Sequence, residues 1–262
     1  MGDARIVAIQ TAYWLKATLR TPRVLVFSLF FPVLLLVLFN SIFVSGEDTA
    51  RLSGGLRVEA QAYFTAGMLA YAIMLSSFTS LLMLLTTLRE SGQLKRYRGT
   101  PVPAWTFIAS FALRSVVLVA TMAILLLAIA HFAYDVSISA DGSVGIALYV
   151  ALGTACMCAL GIGVTAVVDS AESAAAVGPF AAVILSFISG VFVPVDQLPT
   201  WLEDIGRAFP LFHLADGLQR ALAPGGGTGL EAGNVAVLGA WTLAGVLIAV
   251  RGFRWEPQVA RG

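Results

Sequence analysis

Hydrophobic positions in this chain fall into long unbroken runs separated by short polar breaks. Six runs are long enough to cross about 30 Å of hydrocarbon. They cover residues 24–44, 63–88, 107–134, 144–168, 174–193 and 235–250. The last is short and borrows Gly233, Asn234 and Arg251 at its ends. Lipid offers no partner for backbone N–H and C=O groups, so each run is expected to be helical. The runs are too long for tilted barrel strands.

Two polar stretches carry helical patterns of their own. Before the first run, Ile6, Ile9, Tyr13 and Lys16 to Ala17 follow a three-to-four spacing, widened by Val7, Trp14 and Leu15. This predicts a helix lying in the interface, with Trp14 at headgroup depth, ended by Pro22. Between the fifth and sixth runs, Leu198, Trp201, Leu202, Ile205 and Phe209 keep helical spacing, as do Leu211, Leu214, Leu218 and Leu222. Pro194, Pro199, Pro210 and Pro224 punctuate them, which predicts two short amphipathic helices broken at "FP" and a flexible loop at "PGGGTGLEAGN". They are too short and too charged to span, so they dip back into the bilayer or lie on it; a dip requires protein or water around irregular backbone.

The expected architecture is therefore an all-α polytopic membrane protein. It has six transmembrane helices, an N-terminal interfacial helix and short external re-entrant helices between spans five and six. As one domain over residues 1–262, it divides into the interfacial helix (1–23), spans one to five (24–193), the external helices and loop (194–232), and span six with its tail (233–262).

Composition agrees: 58% of residues are hydrophobic and 12% charged, where a soluble domain carries about a quarter charged. Mean hydropathy is +0.88. The first run lies too deep, is too long and lacks a cleavage site, so it reads as a span and not a cleaved signal peptide. Lys and Arg fix the orientation. Eleven lie in the N-terminal segment, the 88–103 loop and the tail; four (Arg51, Arg57, Arg207, Arg220) lie on the other side, and Arg114 falls inside the third run. Both termini are thus expected in the cytoplasm and the chain in the cell (inner) membrane. Membrane lipids are its surroundings, and no nucleic-acid partner is expected.

Most chemistry is excluded. The pair "GK" never occurs, so there is no phosphate-binding loop with its lysine. "HExxH" is absent, and Cys156 and Cys158 lack a second pair or nearby histidines for a zinc site. Asp135 and Asp169 fall at opposite ends of their runs, unlike the paired acids of an aspartyl intramembrane protease. Without an intramembrane carboxylate, ion-coupled transport loses its usual machinery. Arg114 is expected to snorkel to the headgroups. Gly153, Cys156, Gly161 and Gly163 offer close helix approach, and Gly178-Pro179 invites a kink. The acidic fourth loop, with Asp169 and Glu172, has no assigned role at this stage.

The stretch "LRESGQLKRYRGTPVP" is richer than a stop signal needs. Arg89-Glu90, Gly92, Leu94-Lys95-Arg96 and Thr100-Pro101 resemble the loop between spans two and three of type-2 ABC transporter permeases, in the drug and antibiotic exporter branch. "SGVFVPVDQLPTWLEDIGRAFPLFHLADGLQ" resembles the same family's external segment through Gly190, Pro194, Leu198-Pro199, Trp201-Leu202, Pro210, His213 and Asp216. "LRTPRVLVFSLFFPVLLL", with Pro32, resembles its entry into the first span.

The resemblance implies a permease subunit that pairs with a second permease subunit and binds a separate ATP-binding cassette subunit. ATP and Mg would sit on that partner, and this chain would carry no cofactor and no catalytic residue. Arg89, Glu90, Gly92, Leu94, Lys95, Arg96 and Arg98 would form the coupling helix that docks on the ATPase. Pro194, Leu198, Pro199, Trp201, Leu202, Pro210, His213 and Asp216 would form an external gate. The cargo expected from apolar walls is a hydrophobic or amphipathic drug, antibiotic or lipid-like molecule. A non-transporting membrane anchor for a partner complex is the alternative.

Overall fold

The structure is a computed structural model that describes residues 2–21, 30–44, 49–52 and 55–253. Helix α1 (Asp3–Leu19) is followed by α2 (Phe31–Phe43) and a two-stranded antiparallel hairpin, β1 (Thr49–Arg51) and β2 (Arg57–Glu59). Next come α3 (Ala60–Glu90), the short α4 (Gln93–Arg98), α5 (Ala104–Tyr134), α6 (Ala140–Val164) and α7 (Ala171–Ile188). Two short helices, α8 (Thr200–Arg207) and α9 (Pro210–Leu222), precede α10 (Ala232–Gly252). Helices α3, α5, α6, α7 and α10 are each long and apolar enough to cross a membrane. The chain is an all-α multi-pass membrane protein. Of the first predicted span only α2 is described; Pro22 and the start of that span lie outside the described residues.

Helix α3 is the centre of the bundle. Its most apolar window is 78% buried, against 17% for α10 and 22% for α7, so the exposed apolar surface belongs mainly to the latter two. Midway, α3 widens into a π-helical turn, Met74–Thr79. There α6 comes in closely at Gly161, where a Cβ would lie 2.8 Å from the Phe78 carbonyl oxygen. On the other side Thr79 Oγ1 donates to the Gly178 carbonyl at 3.3 Å, beside Pro179 inside α7. The predicted small-residue contact and the predicted Gly-Pro irregularity therefore meet at one π-bulge.

Several boundaries differ from the hydropathy reading, for local reasons. Helix α6 starts at Ala140 because the Ser139 hydroxyl accepts from the Gly142 N–H at 3.0 Å. Helix α7 starts at Ala171 because Ser170 does the same for Ser173 at 3.0 Å. These caps lie several residues outside the apolar runs, since capping satisfies orphan N–H groups wherever water is available. Helix α7 also ends at Ile188, before the apolar run does, and Gly190 turns the chain at φ +70°. That turn is clamped: its carbonyl accepts from the Tyr63 hydroxyl and, at 2.9 Å, from Gln219 Nε2.

The two predicted amphipathic helices are present and behave differently. Helix α8 leaves Trp201 and Ile205 exposed. Helix α9 sinks into the bundle against α3, α6 and α10, burying Leu211, Leu214, Leu218 and Leu222 on the predicted face. At Gly217 it lies so close to α6 that a Cβ would sit 2.1 Å from Tyr149 Cζ.

The N-terminal helix exists as predicted, but its inward face is different. It buries Thr11 and Thr18, while Ile9 and Tyr13 on the apolar stripe stay exposed. Trp14 turns inward, its ring 4.6 Å from that of Phe111. The hairpin between α2 and α3 was not predicted; three residues per strand are too few for alternation to register.

Candidate functional site

One end of the bundle carries the basic loop. Helix α3 ends at Glu90, and Gly92, at φ +69°, reverses the chain into α4. A residue with a Cβ resists this left-handed backbone, which accounts for glycine here. Leu94 is buried with Leu88 and Phe107, and the Tyr97 ring lies 4.6 Å from that of Phe107. Gln10 Nε2 of α1 donates to the Tyr97 hydroxyl at 2.5 Å. Helix α4 is thereby fixed to α1 on one side and to α5 on the other. Between them lies a cleft of about 330 Å³, lined by Gln10, Trp14, Leu88, Leu94, Tyr97 and Phe107 among others.

The residues of the predicted docking set divide into two groups. Arg89 is 2% exposed and works inward: Nη1 donates to the Thr165 carbonyl at 2.8 Å and Nη2 to that of Val168. Glu90 Oε1 accepts from the Ala171 N–H at 2.8 Å, adding negative charge where the α7 dipole is positive. Leu94 and Gly92 are structural. Arg89 and Leu94 therefore present no surface to a partner. Lys95, Arg96 and Arg98 are exposed on α4, and Asp169 and Glu172 are exposed on the adjoining 165–171 loop and first turn of α7. The structure thus brings the basic loop and the acidic loop side by side, a pairing that sequence separation hid.

Arg114 is 5% exposed, and its Nε donates to Thr18 Oγ1 at 2.8 Å.

At the opposite end, α9 and α10 are tied by a polar chain. Asp216, 6% exposed, accepts at Oδ2 from Arg220 Nε at 2.7 Å and from Asn234 Nδ2 at 2.8 Å. Arg220 Nη1 reaches Glu231 Oε1 at 2.6 Å. His213 bridges Asn234 Oδ1 and the Arg207 carbonyl, each at 2.8 Å from a ring nitrogen. Trp241 of α10 donates to the Ala208 carbonyl at 3.0 Å. Pro210 starts α9 as its first residue, where a missing N–H costs nothing. Pro194, Leu198 and Leu202 are half-buried, while Pro199 and Trp201 are exposed. Of the predicted gate residues, His213 and Asp216 belong to one network. Sequence reading missed Asn234, Arg220 and Glu231 as its remaining members; the acid and base of "ADGLQR", four apart on one helix face, were the available signal.

Among the described residues no group of histidine, cysteine, aspartate and glutamate could hold a metal ion. The fold and its ends define a polytopic membrane domain. The ABC-2 type transporter family model matches residues 6–222. The chain belongs to the ABC-2 type transporter family and is a transmembrane permease component. Compared with curated proteins, it matches none.

Proposed function

We propose that this chain is the membrane-spanning subunit of an exporter driven by a separate ATP-binding cassette subunit, which docks at the basic end on the cytoplasmic side. One observation carries the reading: Arg89 and Glu90 strap the end of α3 to the 165–171 loop. A force applied at α4 therefore reaches α7 and α6 as one unit, as coupling by a packed element requires. Exposed Lys95, Arg96 and Arg98 beside Asp169 and Glu172 offer both signs of charge to a partner. The cleft between α1 and α4 adds an apolar socket. ATP and Mg belong to the ATPase, and a second permease copy completes the pathway. The cap formed by α8 and α9 closes the outward exit. The bundle's apolar walls suit a hydrophobic or amphipathic cargo, such as a drug, antibiotic or lipid-like molecule.

The test is the triple variant Lys95→Glu/Arg96→Glu/Arg98→Glu in the full chain, expressed with its ATP-binding subunit in native membranes. Insertion is retained, and both co-purification of the ATPase and substrate-stimulated ATP hydrolysis fall at least about tenfold, the equivalent of 1.4 kcal/mol. Undiminished association would place the docking surface elsewhere.

A further inference from the structure

Arg114 is a buried cation with too few partners. A guanidinium carries five N–H donors and cannot be discharged in a protein. Here Nε donates to Thr18 Oγ1 at 2.8 Å and Nη1 reaches Ser80 Oγ at 3.5 Å. Among the described residues no carboxylate pairs with it. The titratable group that reaches it is the Cys158 thiol, which is no anion at neutral pH. Among the described residues Nη2 has no hydrogen-bond partner, yet it is not among the enclosed unsatisfied atoms of the interior. The residual 5% exposure of the residue therefore includes this tip.

Its depth is informative. Arg114 and Ser80 each lie ten residues, roughly 15 Å, inside the basic ends of α5 and α3. From them to the opposite ends of those helices run twenty residues, roughly 30 Å, which matches the hydrocarbon thickness. A hydrocarbon layer laid against the opposite ends of these helices would end at Arg114 and leave the guanidinium tip at the level of the lipid phosphates. Charge, depth and open donor agree on one ligand chemistry.

We propose that Arg114 binds the phosphate of an anionic glycerophospholipid in the leaflet at the basic end, with Thr18 and Ser80 holding the guanidinium in place. The site lies at the joint of α1, α3 and α5, so the lipid would brace α1 against the bundle. Lys16 and Arg20 are exposed, two residues from Thr18 and hence on the far face of α1. They supply diffuse attraction and no contact to this site. The proposal rests on the membrane reading and its orientation but not on the ATPase partner, so it is tested on the permease alone.

The experiment is native mass spectrometry of the detergent-purified full chain titrated with phosphatidylglycerol or phosphatidylcholine. Wild type retains phosphatidylglycerol in preference to phosphatidylcholine. Arg114→Gln lowers phosphatidylglycerol affinity about tenfold or more, as expected for lost charge-assisted hydrogen bonds, and abolishes the preference. Lys16→Gln/Arg20→Gln keeps the preference. If Arg114→Gln does not fold, Arg114→Lys decides: reduced affinity with preference retained supports the site, because an ammonium keeps the charge and loses the fork. Unchanged affinity in the Arg114 variant that folds, or loss of preference in the Lys16/Arg20 variant, overturns it. So does displacement of the lipid by millimolar inorganic phosphate, which would indicate a free-anion site.

Discussion

Glu90 Oε1 accepts a 2.8 Å hydrogen bond from the backbone N–H of Ala171, so the last residue of α3 caps the first turn of α7. Two transmembrane helices that are 81 residues apart in the chain are joined by one carboxylate at the basic end. Because the contact is exposed and made to a helix N-terminus, its charge contributes about 0.3–1 kcal/mol. Glu90→Gln is therefore expected to leave the fold and partner binding intact. Hydrogen exchange of the amides from 169 to 174 should rise by a few-fold, and transport should become less tightly coupled to ATP hydrolysis. Unchanged exchange there would remove Glu90 from the strap.

Arg89 has the larger effect. Replacing it with Gln strands the Thr165 and Val168 carbonyls in a buried setting, at about 1–3 kcal/mol for each unsatisfied group. Arg89→Gln should lower thermal stability in detergent well beyond any change at Arg96 or Arg98. Arg89→Lys should not restore it, because one ammonium cannot span two carbonyls as a planar fork does. Equal stability of the Arg89 and Arg96 variants would contradict the buried assignment.

The cap at the other end depends on Asp216. Asp216→Asn keeps the shape and an acceptor oxygen but loses the charge that strengthens the bonds from Arg220 Nε and Asn234 Nδ2. A loss of about 1–3 kcal/mol in local stability is expected, read as faster exchange in α9, with ATPase association unaltered. His213→Gln should loosen the same region less, since the hydrogen bond from His213 to α10 goes to Asn234, which Asp216 still holds.

Helix α9 also packs closely on α6 at Gly217. Gly217→Ala would drive a methyl group into the Tyr149 ring, and overpacking of this kind costs about 1–3 kcal/mol. Pairing it with Tyr149→Leu should recover part of that loss, despite removing the hydroxyl that donates to Gly229 at 3.0 Å. Thermal unfolding of the two single variants and the double variant measures the coupling directly.

The spans were legible because lipid imposes a strong and local rule: long apolar runs must be helical. Their ends were not, because Ser139 and Ser170 extend helices into the polar layer by capping, which hydropathy does not sense. The buried face of α9 was legible from Leu211, Leu214, Leu218 and Leu222, whose spacing encodes one side of a helix. The distinction between Arg89 and Arg96 was hidden. Both are bases in one loop, and only the turn at Gly92 sets one against the 165–171 loop and the other at the surface. Arg114 was hidden for a similar reason: the hydroxyl that receives its Nε, Thr18, lies 96 residues away in the chain.

The basic end is proposed as the dock for an ATP-binding cassette subunit. Affinity purification of the tagged full chain from its native membranes, followed by mass spectrometry and an ATP-hydrolysis assay, tests it most directly. The expected result is a stoichiometric ATP-binding cassette subunit whose hydrolysis responds to amphipathic substrates and which is lost from the Lys95→Glu/Arg96→Glu/Arg98→Glu preparation. A stable chain purified without any such subunit, with no transport defect when the gene is deleted, would contradict it and favour a membrane anchor.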